Sequence, residues 1–163
     1  ADALGPRTVQ RILVTMGAGA APPVRGLRPV AAVAPGVAAA TGLSLQQLAA
    51  ALVGQLHPAA VVCVDSLCSA EGQRLGRTVQ FSDTGLYPAQ ADHTRHLTRD
   101  TVGVPVVAAG IPTLMQAQEG ADLVVTPRAL DSVIAHGAAL LAGSVNRALQ
   151  PRLTVQQLCW LTG

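Results

Sequence analysis

Lysine is absent from this 163-residue sequence, and aromatic residues are reduced to Phe81, Tyr87 and Trp160. With so few rings the core has to be built from Ala, Val, Leu and Ile, and stacking platforms for bases or sugars are excluded. All 11 cationic residues are arginines, scattered singly rather than gathered in a stripe, and the net charge is only +2. Charge therefore gives no indication of nucleic-acid binding. Charged residues make up 12% of the chain against 50% apolar, with a mean hydropathy of +0.40. Intrinsic disorder and coiled coil are both ruled out by that balance. Long apolar runs are missing too: Gly, Pro, Arg or Asp interrupts each one before the roughly 18 residues a spanning helix needs. No basic stretch precedes an apolar one in the manner of a signal peptide. The expectation is a soluble, cytoplasmic protein with no membrane partner. The three cysteines are odd in number and lack CxxC spacing, and Cys63 sits in an apolar run. Buried thiols are expected rather than disulfide or zinc chemistry. A chain of this length forms one domain, residues 1–163, burying about two thirds of its unfolded surface.

Asp2 is suited to cap a helix running through Leu4, Val9, Ile12 and Leu13, because a carboxylate is favoured at the positive end of the helix dipole. Gly, Ala and Pro in 14–27 break it. Val30–Val33 reads as a short buried strand. Ser44 opens a helix to Leu56, with Gln47 as capping-box partner. Ala59–Val64 is a continuous apolar run with β-branched residues, expected as a central strand with Asp65 at its carboxyl end. A short helix over about 67–75 is expected next, then a strand at Thr78–Phe81 and a long polar loop from Ser82 to Asp100. Val104–Ala109 reads as a strand ending in the turn Gly110–Thr113, and Asp122–Val125 as another short one. Thr126 and Pro127 begin a long helix to about Leu149, the usual place for proline in a first turn. Thr154 with Gln157 opens the last. Strands alternating with helices predict an α/β fold with a mostly parallel sheet and helices on both faces, reacting at the carboxyl ends of its strands. A chain that opens directly on a helix cap further predicts that a first edge strand is missing.

Asp2 and Asp65, one at a helix start and one at a strand end, are candidates for a carboxylate pair that shares a proton across one cleft. The alternative is that each only caps a helix. Gly17-Ala18-Gly19 lacks the spacing of a phosphate loop. Ser66 and Ser69 with His93 or His96 lack a nucleophile elbow. His93 and His96, spaced as metal ligands would be on a helix and flanked by Asp92, have no metal-binding frame around them. His57 and His136 carry no motif. No metal and no cofactor are expected.

Several stretches then resemble, in order, one family: Asp2-Ala3-Leu4-Gly5-Pro6, Leu13-Val14-Thr15, Pro35-Gly36-Val37 with Thr41-Gly42, and Val64-Asp65-Ser66-Leu67. They continue with Thr78-Val79-Gln80-Phe81-Ser82-Asp83-Thr84-Gly85, Gly103-Val104-Pro105-Val106, Gly110-Ile111-Pro112-Thr113 and Val125-Thr126-Pro127, then Asp131, Ile134, Asn146, Ala148-Leu149 and Pro151. The sequence is similar in these to the spore germination proteases, endopeptidases that degrade small acid-soluble spore proteins at germination. The pattern departs at Met16-Gly17, where the family has Arg-His, at Ala89–Thr94, which replaces a glycine-rich loop, and at Leu45, where an acidic residue is usual.

The resemblance implies a three-layer α/β/α domain, phosphorylase/hydrolase-like and akin to hydrogenase-maturation proteases. It implies an aspartic-type peptidase whose catalytic pair falls on Asp2 and Asp65, with Gln80, Asp83, Thr84, Arg95, Pro112 and Thr113 in substrate-binding or supporting roles. It also implies a zymogen family, a homo-oligomer (a tetramer), small acid-soluble spore proteins as partner and substrate, no direct nucleic-acid contact and a place in the spore core. Relative to that family the chain reads as truncated at its N-terminus, without the propeptide, first strand and Gly-Leu-Gly-Asn turn, and weak activity is expected without them. Two other readings stand beside it: a truncated or divergent relative that folds and associates without cleaving, and a hydrogenase-maturation-like protease using nickel, for which no ligand set is evident.

Overall fold

The computed structural model describes residues 3–17, 24–36, 38–87, 96–116 and 124–163. The helices are α1 (Leu4–Val9), α2 (Ala38–Thr41), α3 (Leu45–Leu56), α4 (Arg99–Val102), α5 (Leu130–Leu149) and α6 (Val155–Thr162). The strands are β1 (Val61–Ser69), β2 (Gln80–Ser82), β3 (Val106–Gln116) and β4 (Val124–Val125).

Helix starts set by local hydrogen bonding fall where the sequence places them. The Ser44 hydroxyl accepts from the Gln47 N–H at 3.1 Å while the Gln47 side chain accepts from the Ser44 N–H at 2.9 Å. Thr154 and Gln157 repeat the exchange at 3.2 and 2.8 Å. Each box satisfies two amide donors that the first helical turn leaves open. α1 is shorter than expected, ending at Val9, and α5 begins at Leu130 because Thr126 and Pro127 stay outside the helix.

The sheet departs from the expected parallel arrangement. Its order is β1-β3-β2, with β4 on the far end of β3. β1 and β3 are parallel, but β2 and β4 both run antiparallel to β3. The link from β1 to β2 explains the reversal: it spans 70–79 with one 3₁₀ turn at Gly72–Arg74. A parallel return needs a crossover of a dozen or more residues, usually helical.

Two strands also run further than expected. β1 continues to Ser69, so Asp65 stands at its middle rather than its end, and no helix forms over 67–75 beyond the 3₁₀ turn. β3 passes straight through Gly110–Thr113, which is therefore strand and not turn. The two extensions hold each other, pairing from Val61 with Val106 to Ser69 with Met115 and shifting register at Leu67/Cys68, where β3 carries one extra residue. Pro112 is tolerated at that bulge, where the ladder is already interrupted. Val30–Val33 forms no strand; the Val30 carbonyl accepts from both Thr15 and Met16 N–H at 3.0 Å.

Apolar burial divides between successive residues of β3. Ala109 and Ile111 pack with Leu4 of α1 and Ile134, Ala138 and Leu141 of α5. Ala108 and Val106 pack with Ala49 of α3, Val102 of α4, and Leu86 and Leu97. Side chains alternate across a strand, so these clusters lie on opposite faces of the sheet. α5 sits close to its face because Gly137 has no Cβ; one added there would collide with the Ile111 Cδ1. Its far end is tied to the rest by buried amides. Asn146 accepts from the Leu13 N–H at 2.9 Å and donates to the Arg11 carbonyl at 2.8 Å.

Candidate functional site

Backbone direction along β1 decides where Asp65 can act. The Val61 N–H donates to the Pro105 carbonyl at 2.9 Å. In a parallel pair alternate residues turn their polar groups to the neighbour. Val61, Cys63 and Asp65 therefore face β3, while Val62, Val64 and Ser66 face the opposite edge. Among the described residues no strand pairs with that edge.

Two features meet there. The Asp65 Oδ1 accepts from the Ser66 N–H at 2.8 Å, which brings its half-buried carboxylate round to the edge. α1 arrives at the same place: a Cβ built on Gly5 would lie 2.9 Å from the Val64 carbonyl oxygen. Only glycine lets a helix approach a strand backbone this closely, and Gly5 is in the first turn of α1. Asp65 and the start of α1 are thus brought to one edge of one strand. Asp2 itself lies outside the described residues, as does Arg95.

Next to Asp65 on β1, burial and then the negative charge of Asp65 push the Cys63 thiol up to about 12. A thiol held protonated is neither nucleophile nor metal ligand. Across the sheet, Asp65 is paired with Gly110 and Gly110 with Gln80. Asp65 and Gln80 therefore share one row on one face, two strand spacings or about 10 Å apart. The middle position admits no side chain: a Cβ on Gly110 would be 2.5 Å from the Asp65 carbonyl oxygen and 2.6 Å from the Leu67 Cγ.

The remaining predicted residues separate. Because β2 is antiparallel, its carboxyl end lies at the opposite end of the sheet from that of β1. Asp83 and Thr84 follow Ser82, which pairs with Ala108, five residues or about 17 Å along β3 from Thr113. Both are exposed, and the Thr84 hydroxyl bonds the Ser82 hydroxyl at 2.8 Å. Pro112 is buried at the bulge, its carbonyl accepting from the Gly76 N–H at 2.6 Å. Thr113 beside it is fully buried, and its hydroxyl has no hydrogen-bond partner. His96 packs edge-on to Tyr87, and the His136 Nδ1 lies 2.8 Å from the Ser132 carbonyl. His93 lies outside the described residues. Among the described residues no group of three His, Cys, Asp or Glu is placed to hold a metal ion, and no helix is long and apolar enough to cross a membrane.

Gly5 and Gly110 entered the sequence reading only within motifs and a turn, and Ser66 only as a nucleophile candidate; the close approaches at the two glycines and the Ser66 N–H bond to Asp65 were not anticipated. Gly5 carries a usable signal, a glycine in a first helical turn, where it weakens the helix unless something must come close. The Ser66 N–H had none, since every residue but proline has one.

What fold and site define is an α/β protein with a mixed open sheet and a carboxylate held mid-strand, at an edge that receives a helix start. The sequence profile of the germination protease family matches residues 1–119. The germination protease of Clostridium perfringens is 28% identical over 96% of this chain and 64% of its own length. That of Halalkalibacterium halodurans is 38% identical over 83% of this chain and 36% of its own, and that of Bacillus subtilis 38% over 71% and 33%. The chain belongs to the germination protease family. It spans between about a third and two thirds of the length of these relatives.

Proposed function

We propose that the chain is an aspartic-type endopeptidase domain of the germination-protease type, with Asp2 and Asp65 as its catalytic pair and small acid-soluble spore proteins of the spore core as its substrates. The observation that carries this reading is the meeting of Asp65 and α1 at one edge of β1. Gly5 rests on Val64, the residue before Asp65. Asp2 is three residues upstream of Gly5, no more than about 11 Å of chain.

The chemistry follows from two neighbouring carboxyl groups, which cannot both ionise cheaply and so hold one proton between them. The protonated member gives its proton to the scissile carbonyl oxygen, and the other takes one from water as the water oxygen bonds to the carbonyl carbon. Return of a proton to the amide nitrogen then breaks the C–N bond. Asp65 suits this work because the Ser66 N–H fixes its orientation. Gln80, in the same row, is proposed to bind substrate, with Thr113 and Pro112 supporting the strand at the bulge. Arg95, Asp83 and Thr84 are proposed as substrate contacts on the resemblance alone.

The two apolar clusters on opposite faces of β3 support reading the architecture as three-layered and akin to the hydrogenase-maturation proteases. A zymogen stage and a tetrameric assembly belong to the same proposal. Incubation of the purified chain with small acid-soluble spore proteins, read by mass spectrometry, tests it. Discrete internal cleavage is expected; a folded chain that leaves them intact is instead a relative that folds and associates without cleaving.

A further inference from the structure

Arginines that are scattered in the sequence are gathered by the fold at the carboxyl end of α5. Gln150, 2% exposed, accepts from the Arg28 N–H at 3.0 Å and donates to the Arg28 carbonyl at 2.8 Å, which seats the 26–29 segment on the end of the helix. Asn146 binds the Arg11 carbonyl one turn earlier. Arg147 donates to the Pro151 carbonyl at 2.9 Å, and Arg152 follows. Four exposed arginines, Arg11, Arg28, Arg147 and Arg152, thus converge from three parts of the chain. Between Gly26–Pro29 and Gln150–Arg152 runs an open cleft of about 440 Å³, with Arg28 and Arg152 along it.

Among the described residues no carboxylate forms an ion pair with these arginines; the one ion pair is Arg74 with Glu71. The acidic residue on α5, Asp131, is in its first turn, about 28 Å from Gln150 along the helix. These cations are held together by the buried amides beneath them and are offset in part by carbonyls at the end of α5, where Arg28 donates to Ala148 at 3.5 Å and Arg147 to Pro151. An anion that bridges them gains an attraction screened by solvent and salt.

We propose that this cleft binds a carboxylate-rich segment of polypeptide, gripped by the guanidinium groups of Arg28 and Arg152. The planar guanidinium fork matches a carboxylate with two parallel hydrogen bonds. No aromatic side chain lines the cleft to stack a base, which favours acidic peptide over single-stranded nucleic acid. The site stands at the far end of α1 and α5 from Asp65, and the inference does not rest on the catalytic pair.

The test is fluorescence anisotropy of a labelled oligoglutamate peptide against the full chain, with a labelled oligothymidylate of equal charge as the second arm. Arg28→Gln with Arg152→Gln is the informative variant, because both guanidinium groups are exposed and the Gln150 contacts to the Arg28 backbone survive. Arg99→Gln on α4 serves as the distant control. The peptide is expected to bind, to weaken as salt rises, and to lose at least about tenfold in affinity in the double variant, as loss of charge-assisted hydrogen bonds requires, with the control unchanged. Absence of peptide binding, unchanged affinity in the double variant, or tighter binding of the oligonucleotide than of the peptide overturns the proposal.

Discussion

Gly5 in the first turn of α1 lies so close to Val64 of β1 that a Cβ would stand 2.9 Å from the Val64 carbonyl oxygen. This approach links the two halves of the candidate site, since Val64 precedes Asp65 and Gly5 follows Asp2 by three residues. A backbone carbonyl in a strand paired along its whole length cannot step aside, so any larger residue has to move the helix.

Gly5→Ala is therefore expected to destabilise the chain by about 1–3 kcal/mol, the usual range for overpacking, despite the better helix propensity of alanine. Urea unfolding measures the first effect and peptide cleavage the second, with cleavage falling more than stability alone accounts for. Wild-type stability in the variant removes the close approach from the account.

Cys63 provides a test of burial at the same strand. Its thiol is pushed up to about 12 from 9.0 by desolvation and then by Asp65, so the folded chain keeps a proton that the unfolded chain loses above pH 9. Protons bound more tightly in the folded state mean that stability is full below pH 9 and falls as pH rises from 9 toward 12. Cys63→Ala should remove that alkaline slope. Labelling by iodoacetamide near pH 8 is expected at the exposed Cys68 and Cys159, with Cys63 reacting only after denaturation.

Thr113 separates a structural from a functional hydroxyl. Buried with no partner, its Oγ1 costs about 1–3 kcal/mol of desolvation. Thr113→Val keeps the shape and is expected to leave the melting temperature equal or higher. Because the hydroxyl is fully buried and supports the strand, cleavage is expected unchanged in the same variant, and a fall in cleavage at wild-type stability would contradict that supporting role.

What the sequence disclosed was what short-range chemistry decides. Ser44 with Gln47 and Thr154 with Gln157 are complete within four residues, and both helices begin where these place them. The apolar run before Asp65 marked a strand for the same reason, but not its place: among the described residues β1 stands at the edge of the sheet and β3 is the central strand. The rest depended on partners far along the chain. Nothing local in Ser66–Ser69 reads as strand; those residues extend because β3 lies beside them. Asp83 follows a strand that a mostly parallel sheet would run in the same direction as β1, but the short link before β2 reverses that strand and sends Asp83 to the other end of the sheet. Arg11, Arg28 and Arg152 look unrelated in sequence because the amides that join their segments, Asn146 on α5 and Gln150 at its C-cap, lie more than a hundred residues from the first two.

The pairing of Asp2 with Asp65 is tested most directly by cleavage rates of the wild-type chain, Asp2→Asn, Asp65→Asn and the double variant on one spore-protein substrate. An asparagine at 65 still offers an oxygen to the Ser66 N–H, so unchanged circular dichroism is expected alongside the kinetics. Each single change should cost at least about a hundredfold, the scale of a lost general acid or base. The double variant should be no slower than the worse single one, because groups acting as a unit fail together. Turnover retained in either single variant, or losses that multiply in the double, would contradict a shared catalytic pair.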